Sequence, residues 1–485
     1  MTQKIRFGTD GWRAIIADEF TFKNVGIVSM AIGNYVSGNN DLKKKGIIIG
    51  YDNRFLSEEF ARQAGNTLAG LGLKVYISKE SIPTPVIAFM VIELKLDGAI
   101  MITASHNPPK YNGIKFIPYY GGPAEDKITK EIESNLADIF KENKDNDLSI
   151  PHLGSNNISY ISDFNSYKKK LTGILNKNLI KNSNIKVAVD TMHGSGSKIM
   201  SEILTDYLNI NARFIHNFKD PLFGEKLPDP SEKNLNDLKN EVTFNNLDIG
   251  IALDGDADRF GVIDGRGVFI SPNNVISMIL YYFIEIGRYN VQDSVVRTVA
   301  TTHLIDEIAA KNNIKVIEKP VGFKYIAKEM LKGNIIIGGE ESGGLSIKGH
   351  IPEKDGLLAG LLLIEIQSYL NKQRKNFYLS DYLNEIYNKF GTFYNTRLDM
   401  VVHESKKEKI IDYFSSLEGG TIENKKVTGV NTIDGSKLLF EDKSWLLIRP
   451  SGTEPFIRCY VESTDKNYFI KICDFVKNKI NKLIG

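Results

Sequence analysis

Read from the N-terminus, the chain repeats one pattern: a short apolar run that stops abruptly in a polar, glycine-rich loop. Lys45-Gly-Ile-Ile-Ile-Gly-Tyr-Asp52 is the first such run, and Asp97-Gly-Ala-Ile-Met-Ile-Thr-Ala-Ser105 follows it. Ile185-Lys-Val-Ala-Val-Asp190 leads into Met192-His-Gly-Ser-Gly196, and Asp248-Ile-Gly-Ile-Ala-Leu-Asp254 into a group of aspartates. Gly333-Asn-Ile-Ile-Ile-Gly-Gly-Glu340 leads into Glu341-Ser-Gly-Gly344. Short runs rich in Ile and Val, bounded by Gly and Asp, predict buried strands. Stretches of helical spacing lie between them, Glu58 to Leu71 and Leu304 to Lys311 among them. Strands alternating with helices predict α/β domains with mixed, largely parallel sheets, whose ligands sit beyond the carboxyl ends of the strands.

A chain of 485 residues is too long for one compact core. The polar, aperiodic stretch 138–159 reads as a surface linker, a join is expected near Ser271-Pro272, and another at 372–376. These divide the chain into three related α/β domains, 1–150, 151–270 and 271–375, and a distinct α+β domain, 376–485. The last contains strand-like Ser444-Trp-Leu-Leu-Ile-Arg449 and a closing amphipathic helix. Composition alters this picture little. Hydrophobic residues at 42% and charged residues at 25% are ordinary for a soluble protein. Lys and Arg total 61 against 59 Asp and Glu, which gives no basic excess for a nucleic acid partner. The two cysteines, Cys459 and Cys473, form no CxxC, exclude a disulfide framework and fit a reducing cytosol. The N-terminus has no apolar signal segment, and the run Leu357 to Ile366 is interrupted by Gly360 and Glu365, too short for a membrane span. A cytoplasmic protein without membrane association is expected; the sequence carries no signal for its oligomeric state.

The chemistry is concentrated in the loops. Asp254, Asp256 and Asp258 follow an apolar run at alternate positions, and a hard divalent cation relieves the repulsion among such carboxylates. An EF-hand loop also begins DxDxD, but it requires Gly where Arg259 stands and Glu where Gly265 stands, so it is rejected. A solvated acidic turn is the alternative. Ser105 ends a run in Thr103-Ala-Ser-His-Asn-Pro108, with Asn112-Gly-Ile-Lys115 beyond. A serine hydroxyl is a weak nucleophile that needs a base, a metal or a group already attached. On an extended backbone His106 would point away from Ser105, making it a poor triad base but a charge stabiliser for a nearby oxygen. A capped turn is the alternative here. Arg449-Pro-Ser-Gly-Thr-Glu-Pro455, with Arg458 after it, joins a bidentate cation to hydroxyls and a Gly in an anion nest, or forms an ordinary turn. Glu340 and Ser342 suit hydroxyl recognition, with a capped helix start as the alternative. Phe7-Gly-Thr-Asp-Gly-Trp-Arg13 places Arg13 in a glycine-rich turn. Together the loops offer a metal site, a hydroxyl nucleophile, a phosphate clamp and a polyol reader. No GxxxxGK[ST], full GxGxxG, HExxH or GxSxG occurs.

With FGTDGWR, TASHNP and NGIK, DGDADR, GEESGG and RPSGTEP in this order, the chain resembles the α-D-phosphohexomutase superfamily of phosphoglucomutases and phosphomannomutases, most nearly a bacterial phosphoglucomutase. The resemblance implies four domains around a central cleft, and interconversion of hexose 1-phosphate and 6-phosphate through a phosphoserine enzyme and a hexose 1,6-bisphosphate, which also serves as activator. It implies that Ser105 carries the phosphoryl group and that Mg²⁺ is held by Asp254, Asp256, Asp258 and that serine. It places Arg13, His106, Lys115 and Arg259 around the phosphoserine. It gives sugar hydroxyls to Glu340 and Ser342, and the substrate phosphate to Arg449, Ser451, Gly452, Thr453 and Arg458. Some relatives have His where this chain has Gly344, so proton exchange falls to Lys354 or Lys115, with His350 behind them. Lys324, in Val321-Gly-Phe-Lys324, joins the substrate set. Amino-sugar mutases more often carry Gln where this chain has Glu341, which favours glucose. A mannose or dual mutase, a metal-dependent phosphatase and a non-catalytic sugar-phosphate sensor are the alternatives.

Overall fold

The computed structural model describes residues 5–7, 11–142, 157–451 and 455–484. The chain divides into two compact units, Met1–Pro272 with Ser342–Ser380, and Asn273–Glu341 with Asp381–Gly485.

The first unit begins with a six-stranded sheet. Its strands are β1 (Trp12–Ile15), β2 (Ile47–Tyr51), β3 (Val75–Ser78), β4 (Gly98–Ile102), β5 (Tyr111–Pro118) and β6 (Ile158–Ile161), in the order β1-β5-β4-β2-β3-β6. The central pairs are parallel and the β4-β5-β1 side is antiparallel. Every residue of β2 and β4 is buried. Their unbroken apolar runs therefore have no solvent face, as befits parallel strands covered on both sides. The expected helix forms as Ser57–Gly70. The stretch read as a linker is partly ordered structure: 138–142 end the helix Asp126–Glu142, anchored by buried Ile139, and β6 adds to the sheet beside β3. Positions 143–156 lie outside the described residues. β6 is a half-exposed edge strand, which is why its apolar pattern is too weak to read in the sequence.

A second sheet in this unit has β7 (Val187–Asp190), β8 (Arg213–Ile215), β9 (Ile249–Leu253) and β10 (Phe260–Asp264), ordered β10-β9-β7-β8. β7 pairs in parallel with β8 and β9, and β9-β10 is an antiparallel hairpin whose connection is Asp254–Arg259.

In the second unit β11 (Ser294–Thr298), β12 (Lys315–Lys319) and β13 (Ile335–Glu340) run parallel in the order β12-β11-β13, and Leu304–Lys311 is helical as predicted. The chain re-enters the first unit with β14 (Gly344–Ile347) and the helix Gly356–Gln373, whose apolar run is an internal helix packed by Gly360 against Ile251. No helix among the described residues is long and apolar enough to cross a membrane. The C-terminal part is an antiparallel sheet of β15 (Tyr394–Val401), β16 (Thr421–Ile422), β17 (Lys425–Asn431), β18 (Ser436–Phe440), β19 (Trp445–Pro450) and β20 (Phe456–Ser463), ordered β15-β20-β19-β18-β17-β16. Helices Glu404–Ser415 and Lys466–Ile484 contribute Ile410, Phe414, Ile472 and Val476 to its core. The architecture is three α/β parts with mostly parallel sheets and a distinct antiparallel fourth.

Candidate active site

Three loops of the first unit, those after β4, β9 and β14, meet beside Lys115 of β5. Ser105 lies three residues beyond β4, wholly buried, with φ of +50°. That left-handed conformation is uncommon for a residue with a side chain. It turns the hydroxyl toward the aspartate loop, where Oγ donates to Asp254 Oδ2 at 2.7 Å. It also brings His106 closer than an extended backbone would, with Nδ1 at 3.4 Å from Oγ. Burial, then the neighbouring cations Arg259, Arg13, Lys115 and Arg54, push His106 well below the ordinary imidazole range, so the ring is neutral.

Asp254, Asp256 and Asp258 are fully buried, and each offers an oxygen within 4.8 Å of the others. The solvated-turn alternative is thereby excluded. Burial first, and then Asp256 and Asp258, push the Asp254 carboxyl well above its usual range. Two lysines offset part of the charge. Lys115 Nζ lies 2.9 Å from Asp256 Oδ2 and 3.0 Å from Asp258 Oδ2, and Lys354 Nζ is 3.5 Å from Asp258 Oδ2. Lys354 also bonds Glu353 at 3.2 Å. Thr84 Oγ1 donates to Asp256 Oδ2 at 2.6 Å, and the Arg259 amide to Asp254 Oδ1 at 3.0 Å. Asp258 Oδ1 is enclosed without a hydrogen-bond donor. A buried, oxygen-only donor set with unsatisfied acceptor capacity at Asp258 fits a hard divalent cation.

Around this centre, Arg13 donates to Asn107 Oδ1 at 2.7 Å from the strand edge β1. Backbone packing locks the loops together: a Cβ on Gly255 would stand 2.7 Å from the Ser105 carbonyl oxygen. His350 is placed differently from the lysines. Its side chain is enclosed, and Nε2 lies 2.7 Å from Asp355 Oδ2, which also accepts from Tyr167 at 2.8 Å. Asp355 caps the helix Gly356–Gln373 through Leu358 N. His350 thus braces the turn that carries Lys354. Ser342 is half-buried in the same unit.

The second unit holds the remaining expected residues. Glu340 is buried at the end of β13, and Lys324 lies over the Tyr325 ring at 5.1 Å. Arg449 Nε donates to Asp434 Oδ2 at 2.7 Å and sits opposite Arg458 across the β19-β20 ladder. The Ser451 carbonyl accepts from buried Lys407 at 3.0 Å. Gly452 and Thr453 lie outside the described residues. Sequence reasoning missed Thr84, Glu353, Lys407, Asp52 and Arg54. Of these, Asp52 and Arg54 carried a signal, an acid and a base directly after the apolar run of β2.

The phosphoglucomutase/phosphomannomutase family matches in four consecutive parts: alpha/beta/alpha domain I over residues 4–143, domain II over 165–267, domain III over 271–390 and the C-terminal domain over 414–479. A phosphoglucomutase/phosphomannomutase of Thermococcus kodakarensis is 30% identical over 94% of each chain. A phosphoglucosamine mutase of Methanocaldococcus jannaschii is 32% identical over 87% of this chain and 88% of that protein. The crystal structure of a Thermus thermophilus protein carrying the phosphomannomutase name superposes with a TM-score of 0.83 at 31% identity, covering 99% of this chain and 100% of that one. The chain belongs to the phosphoglucomutase/phosphomannomutase family and is an isomerase of the phosphohexomutase class.

Proposed function

We propose that this phosphohexomutase interconverts glucose 1-phosphate and glucose 6-phosphate through a phosphoserine at Ser105 and a hexose 1,6-bisphosphate. The observation that carries the reading is the Ser105 hydroxyl, buried and 2.7 Å from Asp254, beside two further aspartates and two lysines. Asp254, Asp256, Asp258 and the serine oxygen would hold Mg²⁺, which supplies Lewis-acid polarisation and charge neutralisation at the phosphoryl group.

The phosphoryl group passes from Ser105 to the free hydroxyl of the sugar phosphate, and the hydroxyl proton goes to a basic side chain. Lys354, 3.5 Å from Asp258, takes that role, while Lys115 stays the cation held between Asp256 and Asp258. The other phosphate of the bisphosphate then returns to Ser105, and the product leaves. A phosphate ester carries about −1.5 to −2 charges near neutral pH. Lys115, Arg13 and Arg259 offset that charge from fixed positions, and neutral His106 stays a hydrogen-bonding group beside Oγ. Glu340 and Ser342 accept from sugar hydroxyls in either orientation of the substrate. Arg449, Ser451, Gly452, Thr453 and Arg458 hold the phosphate that is not being transferred, with Lys324 near them in role. His350 contributes by holding the Lys354 turn, and hexose 1,6-bisphosphate restores enzyme that has lost its phosphoryl group.

A second reading, an amino-sugar substrate, is favoured by relatives such as the Methanocaldococcus jannaschii phosphoglucosamine mutase. A third is a mannose or dual enzyme. Parallel assays on glucose, mannose and glucosamine phosphates separate the three. Glucose 1-phosphate converted best upholds the proposal, and a clear preference for either other sugar overturns the glucose assignment.

A further inference from the structure

The nucleophile's own backbone is held from both sides by one buried ion pair. Asp52 and Arg54 follow β2, and Arg54 is only 2% exposed. Its guanidinium has five N–H donors, and all five are used. Nε pairs with Asp52 Oδ2 at 3.1 Å. One terminal nitrogen donates to the carbonyls of Pro108 and Tyr111 at 2.9 Å each. The other donates to the carbonyls of Ser105 at 2.6 Å and Asn107 at 2.7 Å. Asp52 reaches the opposite side of the same residue, the Ser105 N–H. Its Oδ2 accepts from Thr103 Oγ1 at 2.6 Å, and Thr103 Oγ1 in turn accepts from the Ser105 amide at 2.9 Å. A branch through Ser57 Oγ, 2.9 Å from Asp52 Oδ1, takes a bond from Asn112 Nδ2 in β5, the strand that carries Lys115.

Neither residue has a hydrogen-bonding group left over for a ligand, so the pair does not read substrate. Its bonds instead terminate on the N–H and C=O of Ser105, the residue whose left-handed φ aims Oγ at Asp254. A lone positive charge would not do this. Four carbonyls converging on one fork require the planar, multidentate donor that Arg has and Lys lacks.

We propose that the Asp52–Arg54 pair, acting through Thr103, is the positioning element that fixes the phosphorylatable Ser105 in its left-handed conformation and sets the rate of phosphoryl transfer without contributing to sugar-phosphate binding. This rests on the phosphoserine reading above. It differs from a general structural role in predicting a split between kcat and KM and a local effect on the serine loop.

The test uses the full chain with Mg²⁺. Arg54→Lys keeps the charge and loses the fork, and is expected to lower kcat about 100-fold with KM within twofold of wild type. Thr103→Val, a change far milder for folding, is expected to lower kcat about tenfold, and Thr103→Ser to restore it. Amide hydrogen exchange by mass spectrometry gives a readout independent of turnover. Exchange in the 103–111 segment is expected to quicken at least tenfold in Arg54→Lys and Thr103→Val, with the β9 segment unchanged. Wild-type kcat and wild-type protection in both variants overturn the clamp while leaving the phosphoserine reading intact. A fall in kcat matched by a rise in KM, or exchange raised equally throughout the fold, also overturns it. Should the wild-type protein isomerise no sugar phosphate, the phosphoserine reading fails, and the local exchange result still decides whether the pair holds the loop.

Discussion

The contact between Gly255 and Ser105 gives a quantitative test of loop registration. Gly255→Ala adds one methyl group to the aspartate loop. Its Cβ would lie 2.7 Å from the Ser105 carbonyl oxygen, roughly 0.8 Å inside a comfortable contact of about 3.5 Å. Neither side can easily yield. The Ser105 carbonyl is bonded to Arg54 at 2.6 Å, and the Ser195 amide donates to the Gly255 carbonyl at 3.0 Å from behind. The Gly194 turn is already so close that a methyl there would meet the Asp254 carbonyl at 2.7 Å. The displacement therefore falls on the Ser105–Asp254 pairing, where a shift of about 1 Å costs on the order of 100-fold in rate. We expect kcat to fall roughly 30- to 100-fold, with KM for the sugar phosphate little changed. Overpacking should also cost about 1–3 kcal/mol of stability. Steady-state kinetics with a thermal melt on the same sample makes the measurement. A variant with wild-type melting and kcat within twofold of wild type would refute the claim that these loops meet in a fixed register.

Three further outcomes follow from the same structure. Adding Mg²⁺ to metal-stripped protein should raise the melting temperature, by about 2.7 kcal/mol of stability at 100 times the dissociation constant; Asp258→Asn should lose most of this gain, and an equal shift in the variant would contradict the metal assignment. Burial, and then the Arg297 charge, hold Lys437 down at about 8 against the opposing pull of Glu318, 2.9 Å away, and Glu462; His303 also lies 2.9 Å from its Nζ. Between pH 8 and the ordinary lysine value of 10.5 the folded state therefore binds fewer protons than the unfolded chain, so this residue makes stability rise with pH across that window. The stability difference between wild type and Lys437→Met should change by up to roughly 3 kcal/mol over the window, and a flat difference in chemical denaturation would exclude the shift. Bonding to Asp190 raises His216, so its contribution is present below the ordinary histidine range and lost as pH rises through the raised value; His216→Gln should be less stable than wild type at pH 5.5 and level with it at pH 9, and an equal deficit at both would refute the linkage.

Much of the fold was legible because the strands are punctuated sharply. The runs at Ile47–Tyr51, Ile249–Leu253 and Ile335–Glu340 are apolar throughout and end at Asp or Glu. Their period cannot be mistaken for an exposed strand, and the polar residue that ends each run opens a functional loop. β6 was not legible, since an edge strand with two exposed and two half-buried residues has no periodic signature. In the site, the three aspartates and Ser105 were evident because repulsive or reactive groups beside a buried strand need an explanation. The left-handed φ of Ser105 was not: the segment Thr-Ala-Ser-His-Asn carries no glycine to signal it, and the long-range bond from Arg54 to the Ser105 carbonyl is made only in the folded chain. The enclosure of His350 was hidden for the same kind of reason. Sequence places it near Lys354, whereas its bond to Asp355 is made by the folded turn.

The most direct test of the central claim is intact-protein and peptide mass spectrometry after incubation with glucose 1,6-bisphosphate and Mg²⁺, run beside a mutase assay of wild type and Ser105→Ala. The account predicts a single added phosphoryl group on the peptide containing Ser105, turnover of glucose 1-phosphate by wild type, and neither in Ser105→Ala. Full turnover by Ser105→Ala, or a phosphoryl group on another residue with Ser105 unmodified, would contradict it.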